Sequence, residues 1–190
     1  MSVVFITGCP GAGKSTLGRK LAEKTGATQI YIDGLKKVMR KDKKLRPWVL
    51  FFSRKNEEEY WKTTSDKEHW MNMVGQSEAF WPRVSRVINS FMKKHDKLIV
   101  DGANMMPHLV AQDFPDMKGV VLLPPSRKEL FIRLQQEPRW SRVNKRMQAI
   151  ESKRYWQEAK SYAKEAKQLG YPVFYDADEA FAYLAPILHG

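Results

Sequence analysis

Residues 8–15 have the types and spacing of a loop that binds phosphate groups. They read Gly-Cys-Pro-Gly-Ala-Gly-Lys-Ser, which fits the P-loop pattern G-x-x-x-x-G-K-[ST]. Glycines let the backbone curl so that successive N–H groups point at phosphate oxygens, and Lys14 adds a full charge for the β- and γ-phosphates. The Ser15 hydroxyl is a ligand for Mg²⁺. The predicted nucleotide-binding residues are Gly8, Cys9, Pro10, Gly11, Ala12, Gly13, Lys14, Ser15 and Thr16, with Lys14 also catalytic.

Two aspartates follow apolar runs and are candidates for metal binding and for base catalysis. Asp101 closes the run 98–100, and we predict that it holds Mg²⁺ directly or through water, together with Ser15. Asp33 follows the run that ends at Ile32, where a carboxylate can accept the proton of an attacking hydroxyl. An acceptor that is already a phosphate needs no base, so Asp33 favours phosphorylation of an alcohol. The alternative for both residues is an aspartate that caps a turn or a helix.

Arginines near a proline supply a second set of candidates. Arg133, Arg139 and Arg142 lie around Pro138, and arginines on a segment able to move can close over ATP and stabilise the transferring phosphoryl group. We predict that Arg139 and Arg142 are catalytic and that Arg133 binds the nucleotide. Arg40, shortly after Asp33, is predicted to hold an anionic part of the acceptor. The alternative for each is a solvated surface charge.

The elements that must position these residues alternate between strands and helices. A helix is predicted from Lys14 to Gly26, and Ser65 and Ser126 each begin a capping box that opens a helix. Pro82 is predicted in the first turn of a further helix. The predicted strands are 3–6, 28–32, 98–100, 120–123 and 172–175, and a long basic helix is predicted over 143–169. This alternation predicts an α/β fold with a largely parallel sheet.

The segment 36–95 differs in composition from the rest of the chain. It opens with a cluster of lysines and arginines and continues with many aromatic residues, among them Trp48, Trp61, Trp70 and Trp81. We interpret the tryptophans as the small core of an inserted helical region. Stacking on an aromatic acceptor or on bases is the alternative.

Composition and charge limit the classes of partner. The chain has 190 residues, which fits a single domain over 1–190, and its formal net charge is +12. Such a charge indicates an anionic partner, of which nucleic acid is one candidate. No apolar run is long enough to cross a membrane, and the start lacks the basic region of a secretory signal. Cys9 is the sole cysteine, so we expect a cytoplasmic protein without an intrachain disulfide.

Taken together, these motifs resemble the P-loop kinase family, of the nucleoside-monophosphate-kinase-like architecture. The resemblance covers 7–16, 32–34, 100–102, Leu123 with the arginine-bearing helix after it, and 172–176. It implies a five-stranded parallel sheet flanked by helices, a helical acceptor-binding region over 36–95 and an arginine-bearing lid over 138–146. The acid after the second strand is similar to that of shikimate, gluconate and polynucleotide kinases.

A fainter resemblance connects residues 99–107 with 2-phosphoglycerate kinases. That family has Glu at the position of Asp101 and His at the position of Asn104, so its substrate does not carry over. Asn104 is nevertheless a candidate substrate-binding residue, with Asp33 and Arg40.

The resulting hypothesis is an ATP- and Mg²⁺-dependent kinase that phosphorylates a hydroxyl of a small-molecule acceptor, with Asp33 as base. Alternatives are a kinase for nucleotides or for polynucleotide 5′-hydroxyl ends, and a nucleotide-binding switch without phosphotransfer. The sequence leaves open the acceptor, the choice between ATP and GTP, and the oligomeric state.

Overall fold

One parallel sheet organises the chain. The computed structural model describes residues 1–51, 57–137 and 145–189. In these residues the strands are β1 (Ser2–Thr7), β2 (Thr28–Tyr31), β3 (Lys97–Asp101), β4 (Lys118–Leu122) and β5 (Val173–Phe174). Their order is β2-β3-β1-β4-β5, and all neighbours pair in parallel. The five-stranded parallel sheet of the sequence prediction is therefore confirmed.

The register brings the strand ends that carry the candidate site residues to one edge. Asp101 of β3 lies opposite Ile6 of β1 on one side and opposite Tyr31 of β2 on the other. The P-loop follows β1, and Asp33 follows β2, so both leave the sheet at the edge where Asp101 lies. This is the edge at which open α/β sheets bind their ligands.

Helices cover both faces of the sheet. They are α1 (Lys14–Thr25), α2 (Lys36–Met39), α3 (Arg46–Val49), α4 (Glu57–Thr63), α5 (Asp66–Met92), α6 (Pro107–Asp113), α7 (Arg127–Gln136), α8 (Lys145–Gln168) and α9 (Ala177–His189), with a 3₁₀ helix at Ile32–Leu35. The consecutive β1 residues Val4, Phe5 and Ile6 are all fully buried. Since successive strand residues point to opposite faces, both faces of β1 are covered.

The long helix α5 contradicts one prediction. Pro82 does not open a new helix; it lies inside α5, which runs without a break from Asp66 to Met92. A proline inside a helix costs about 3 kcal/mol because it removes one backbone hydrogen bond. The buried side chains Met73, Phe80, Val84 and Ile88 continue in helical phase on both sides of it, and their burial stabilises the uninterrupted helix.

The tryptophans of segment 36–95 whose side chains the structure describes pack against the main core of the protein. Trp81 is buried, and its indole Nε1 donates to Asp113 at 2.8 Å. Trp70 packs edge-on against the fully buried Tyr162 of α8, with ring centroids 5.1 Å apart. Both contacts tie the segment 36–95 to the main core, which reaches it through α5. Trp61 has a side chain outside the described part of the structure.

Other boundaries agree closely with the sequence. The Ser65 capping box has both of its hydrogen bonds. At α7 only the half made by Ser126 is present, because the Glu129 carboxylate pairs with Arg133 instead. None of the described helices is both long and apolar enough to cross a membrane.

Candidate active site

The P-loop curls tightly because glycine occupies the positions where a side chain does not fit. Gly8 has φ +136°, and a Cβ built on it would lie 2.0 Å from the carbonyl oxygen of Leu122. Gly13 adopts the left-handed conformation, with φ 93°, immediately before α1. The loop therefore presents its backbone to the N-terminal end of α1, where amide groups and the helix dipole favour bound anions.

Lys14 lies within the mouth of this loop. Its side chain is mostly buried, and its ammonium donates to the Cys9 carbonyl oxygen at 2.8 Å. The lysine is thus held over the loop backbone, where a polyphosphate would meet its charge. Cys9 is itself fully buried.

A hydrogen-bonded pair of oxygen groups, the partly buried Ser15 hydroxyl and the buried Asp101 carboxylate, lies beside the loop. The Ser15 hydroxyl donates to Asp101 Oδ2 at 2.7 Å, and the Gln29 amide donates to Asp101 Oδ1 at 2.8 Å. Burial raises the pKa of Asp101, while the hydrogen bonds from Ser15 and Gln29 oppose this shift. Asp101 is fully buried. A cation bound next to its carboxylate would therefore be strongly stabilised, because water screens the interaction little there.

The donors present fit Mg²⁺. This ion prefers hard oxygen ligands and commonly takes one or two protein oxygens together with phosphate oxygens. Ser15 and Asp101 supply such oxygens next to the P-loop. Among the described residues, no group of three or more His, Cys, Asp or Glu side chains offers another metal site.

Asp33 stands near the start of the 3₁₀ helix that follows β2. Its carboxylate pairs with the Lys36 ammonium at 2.7 Å, one turn further along the chain. About a fifth of the side chain is exposed, at 22%. The carboxylate is thus partly accessible to solvent and paired with a cation.

Arg133 reaches from α7 to the P-loop. Its guanidinium lies 3.4 Å from the carbonyl oxygens of Gly11 and Ala12. It also forms an ion pair at 3.2 Å with Glu129, which lies one turn earlier in α7. It lines a cleft of about 640 Å³ together with the loop, Thr16 and Tyr31. Arg139 and Arg142, with most of the proposed lid 138–146, lie outside the described residues.

Two candidate substrate-binding residues differ in their surroundings. Arg40 is exposed at the end of α2. Asn104 is fully buried, and its amide donates to Gln76 Oε1 at 3.1 Å and to Ser77 Oγ at 2.9 Å. Its contacts in the structure are thus with α5, so a role in substrate binding stays a prediction.

A model of one protein family matches most of the chain. The family is described as "AAA domain", and the match covers residues 4–167, which include the P-loop, Asp33 and Asp101. The chain belongs to this AAA domain family. No curated protein matches the sequence.

Solved structures similar to this AAA domain protein include small kinases. They include shikimate kinase from Bacteroides thetaiotaomicron, with 17% identity, TM-score 0.58 and coverage of 100% of this chain and 99% of that one. Shikimate kinase from Acinetobacter baumannii in complex with shikimate has 15% identity, TM-score 0.55 and coverage of 99% and 93%. Deoxyadenosine kinase from M. mycoides, with products dCMP and a flexible dCDP bound, has 15% identity, TM-score 0.51 and coverage of 98% and 96%. The AAA domain chain therefore has the fold of the small P-loop kinases.

Sequence reasoning missed two residues that shape this AAA domain site. Gln29 bonds to Asp101 from the neighbouring strand, and Tyr162 of α8 donates to the carbonyl oxygen of Ala103, just after β3. Burial raises the pKa of Tyr162 well above its ordinary value, so the phenol remains a donor. One signal for Gln29 was present in the sequence: a polar residue within a predicted strand, between the P-loop helix and Asp33.

Proposed function

We propose that this AAA domain protein is a kinase that uses ATP and Mg²⁺ to transfer the γ-phosphoryl group to a hydroxyl of its acceptor. The observation that carries the proposal is the meeting of three groups at one sheet edge. These are the P-loop with Lys14, the Ser15–Asp101 pair and the Asp33 carboxylate.

Nucleotide binding follows from the loop and its surroundings. The backbone amides and Lys14 bind the polyphosphate, and Arg133, which lines the same cleft, adds positive charge. Ser15 and Asp101 would hold Mg²⁺, which when bound would offset negative charge on the phosphates. Arg139 and Arg142 remain proposed contributors to stabilising the transferring group.

Asp33 acts as the general base in this proposal. As the acceptor oxygen forms its bond to the γ-phosphorus, the bond from that phosphorus to the β-phosphate oxygen breaks and ADP leaves. The hydroxyl proton passes to the Asp33 carboxylate. The acceptor predicted first is a small molecule with a hydroxyl group, bound with help from Arg40 and Asn104; a nucleic-acid 5′-hydroxyl meets the same chemical requirement.

The test combines ATP binding with an acceptor screen using γ-labelled ATP over alcohols, sugars, nucleosides and oligonucleotide ends. Lys14→Ala should abolish phosphotransfer. Asp33→Asn should lower the rate about 10²- to 10⁴-fold while calorimetry still detects binding of Mg·ATP. Asp116→Asn removes an exposed carboxylate before β4, outside the proposed site, and serves as the matched control, with activity expected to stay close to wild type.

Two results would contradict the proposal. Full activity of Asp33→Asn would show that Asp33 is not the base. Slow ATP hydrolysis without a labelled product from any acceptor would instead favour a nucleotide-binding switch.

A further inference from the structure

Segment 36–46, which follows Asp33, carries an unusual concentration of positive charge. It contains seven cations, Lys36, Lys37, Arg40, Lys41, Lys43, Lys44 and Arg46, and a single acid, Asp42. Seven positive charges and one negative charge give +6, which is half of the net charge of +12 of the whole chain.

Most of these cations face solvent without a protein partner. Lys36 is half-buried and pairs with Asp33, whereas the other six are exposed. Within the described parts of the chain, none of those six forms an ion pair. By contrast, Lys20 pairs with Asp178 and Arg133 with Glu129.

The backbone of segment 36–46 is held in place by the fold. Met39, the last residue of α2, is buried, and Asp42 Oδ1 accepts a hydrogen bond from the backbone N–H of Lys44 at 2.8 Å. Just beyond the segment, the Gln76 amide of α5 donates to the Trp48 carbonyl oxygen at 2.7 Å. The cations are therefore carried on a short stretch of anchored backbone, and like charges repel one another most strongly within the Debye length of about 8 Å at physiological salt. Their mutual repulsion is relieved when a polyanion binds.

We propose that segment 36–46 binds the phosphodiester backbone of a single-stranded nucleic acid, whose 5′-hydroxyl is then phosphorylated beside Asp33. This inference rests on the proposed kinase function and names its acceptor. In the transfer, the 5′-hydroxyl oxygen bonds to the γ-phosphorus, the bond from that phosphorus to the β-phosphate oxygen breaks and ADP leaves, and Asp33 accepts the hydroxyl proton.

Two features favour a strand over a small anion. A small anion has room for only a few cationic side chains, whereas a strand offers one phosphate per nucleotide to a series of them. Tyr31, two residues before Asp33, is 48% exposed and lines the nucleotide cleft. Aromatic side chains at such positions stack on bases in single-strand binding sites.

The experiment measures binding of a single-stranded 12-nucleotide DNA, labelled at its 3′ end and carrying a 5′-hydroxyl, by fluorescence anisotropy across a series of salt concentrations. The test variant replaces Lys41, Lys43 and Lys44 by Gln and leaves Lys36, which touches Asp33, unchanged. The matched control replaces Lys160, Lys164 and Lys167, which are exposed on α8, by Gln, so that the two triple variants have the same net charge. For single strands the slope of log K against log salt is about −0.7 per neutralised phosphate, so the test variant should flatten it by about 2.

The control variant should keep the wild-type slope, and single Lys→Gln changes in the segment should each flatten it by about 0.7. These single variants provide the measurement if the triple variant does not fold. Equal flattening by both triple variants would overturn the proposal, because it would show attraction by net charge alone. The proposal would also be overturned if the oligonucleotide showed no salt-dependent binding. The same holds if inorganic pyrophosphate displaced the labelled oligonucleotide as effectively as an unlabelled oligonucleotide does.

Phosphorylation separates this inference from the proposed function. Labelled phosphate should appear on the 5′ end of the oligonucleotide and depend on Asp33. If a small alcohol is phosphorylated in an Asp33-dependent way and the oligonucleotide is not, the nucleic-acid acceptor is wrong while the kinase proposal stands. If the oligonucleotide binds through segment 36–46 but no acceptor is phosphorylated, the kinase proposal fails and the binding surface remains.

Discussion

The contact between Gly18 and Gln29 predicts that Gly18→Ala changes the free energy of unfolding in opposite directions with and without the Gln29 side chain. Gly18 lies in the interior of α1, and a Cβ built on it would lie 2.4 Å from the Gln29 side-chain nitrogen. That nitrogen is the donor to Asp101 Oδ1 at 2.8 Å. Gly18→Ala should therefore push the flexible end of Gln29 away from Asp101.

Two opposing terms set the size of the effect. Alanine in a helix interior is about 0.5–1 kcal/mol more stable than glycine. A hydrogen bond to a charged group contributes about 1.5–3 kcal/mol. Gly18→Ala alone should then destabilise the fold by about 0.5–2.5 kcal/mol. In a Gln29→Ala background no amide remains to be displaced, so the same Gly18→Ala change should stabilise by about 0.5–1 kcal/mol.

The assay is urea unfolding followed by circular dichroism, with EDTA present and nucleotide absent, on wild type, both single variants and the double variant. For a chain of this size 1 kcal/mol corresponds to about 2–4 °C in Tm, so thermal melts provide a second readout. If Gly18→Ala has the same effect with and without Gln29, the two residues are not coupled, and the expected displacement of the Gln29 amide from Asp101 is wrong.

Three further predictions concern the helices around the site. Ser65→Ala should lower the free energy of unfolding by about 1 kcal/mol because it removes the bond that the Ser65 hydroxyl accepts from the Glu68 backbone N–H, while the bond from the Ser65 backbone N–H to the Glu68 carboxylate remains. Ser65→Thr should restore most of this loss in urea unfolding. His108 donates to Glu165 at 2.7 Å, and this bond raises the pKa of His108. The stabilisation of wild type over His108→Gln should be full below about pH 6.5 and decline as pH rises through the raised pKa; a constant difference would contradict this. Tyr162→Phe leaves a buried carbonyl oxygen without its donor and should lower Tm by about 2–12 °C in a thermal melt, whereas an unchanged Tm would argue against the hydrogen bond.

The parts of the site that the sequence predicts are those whose geometry is local. The strand, P-loop and helix from β1 through α1 follow from glycine conformation and helix-dipole physics acting within a few residues, and the structure has this arrangement. The sequence also predicts that Asp33 and Asp101 lie at one edge, because each follows an apolar run and the predicted sheet is parallel. The roles assigned to them remain predictions.

The parts that the sequence does not predict depend on contacts between distant residues. Gln29 meets Asp101 across 72 positions, and Tyr162 meets Ala103 across 59. Neither contact leaves a spacing pattern. Pro82 shows the reverse failure, because a strong local signal for a helix start is outweighed by the continuous buried face of α5.

The buried polar contacts also indicate whether residues 36–95 can be separated from the rest of the chain. The loop after β3 donates two hydrogen bonds to α5 through Asn104 and accepts one from Tyr162 of α8. Gln76 of α5 then connects this loop with Trp48, next to segment 36–46. Helix α5 thus packs as part of the core and joins the acceptor side of the proposed site to the strand that carries Asp101. Removing residues 36–95 would uncover that core and leave these polar groups unsatisfied, which favours a single folding unit over a kinase domain with a separable insertion.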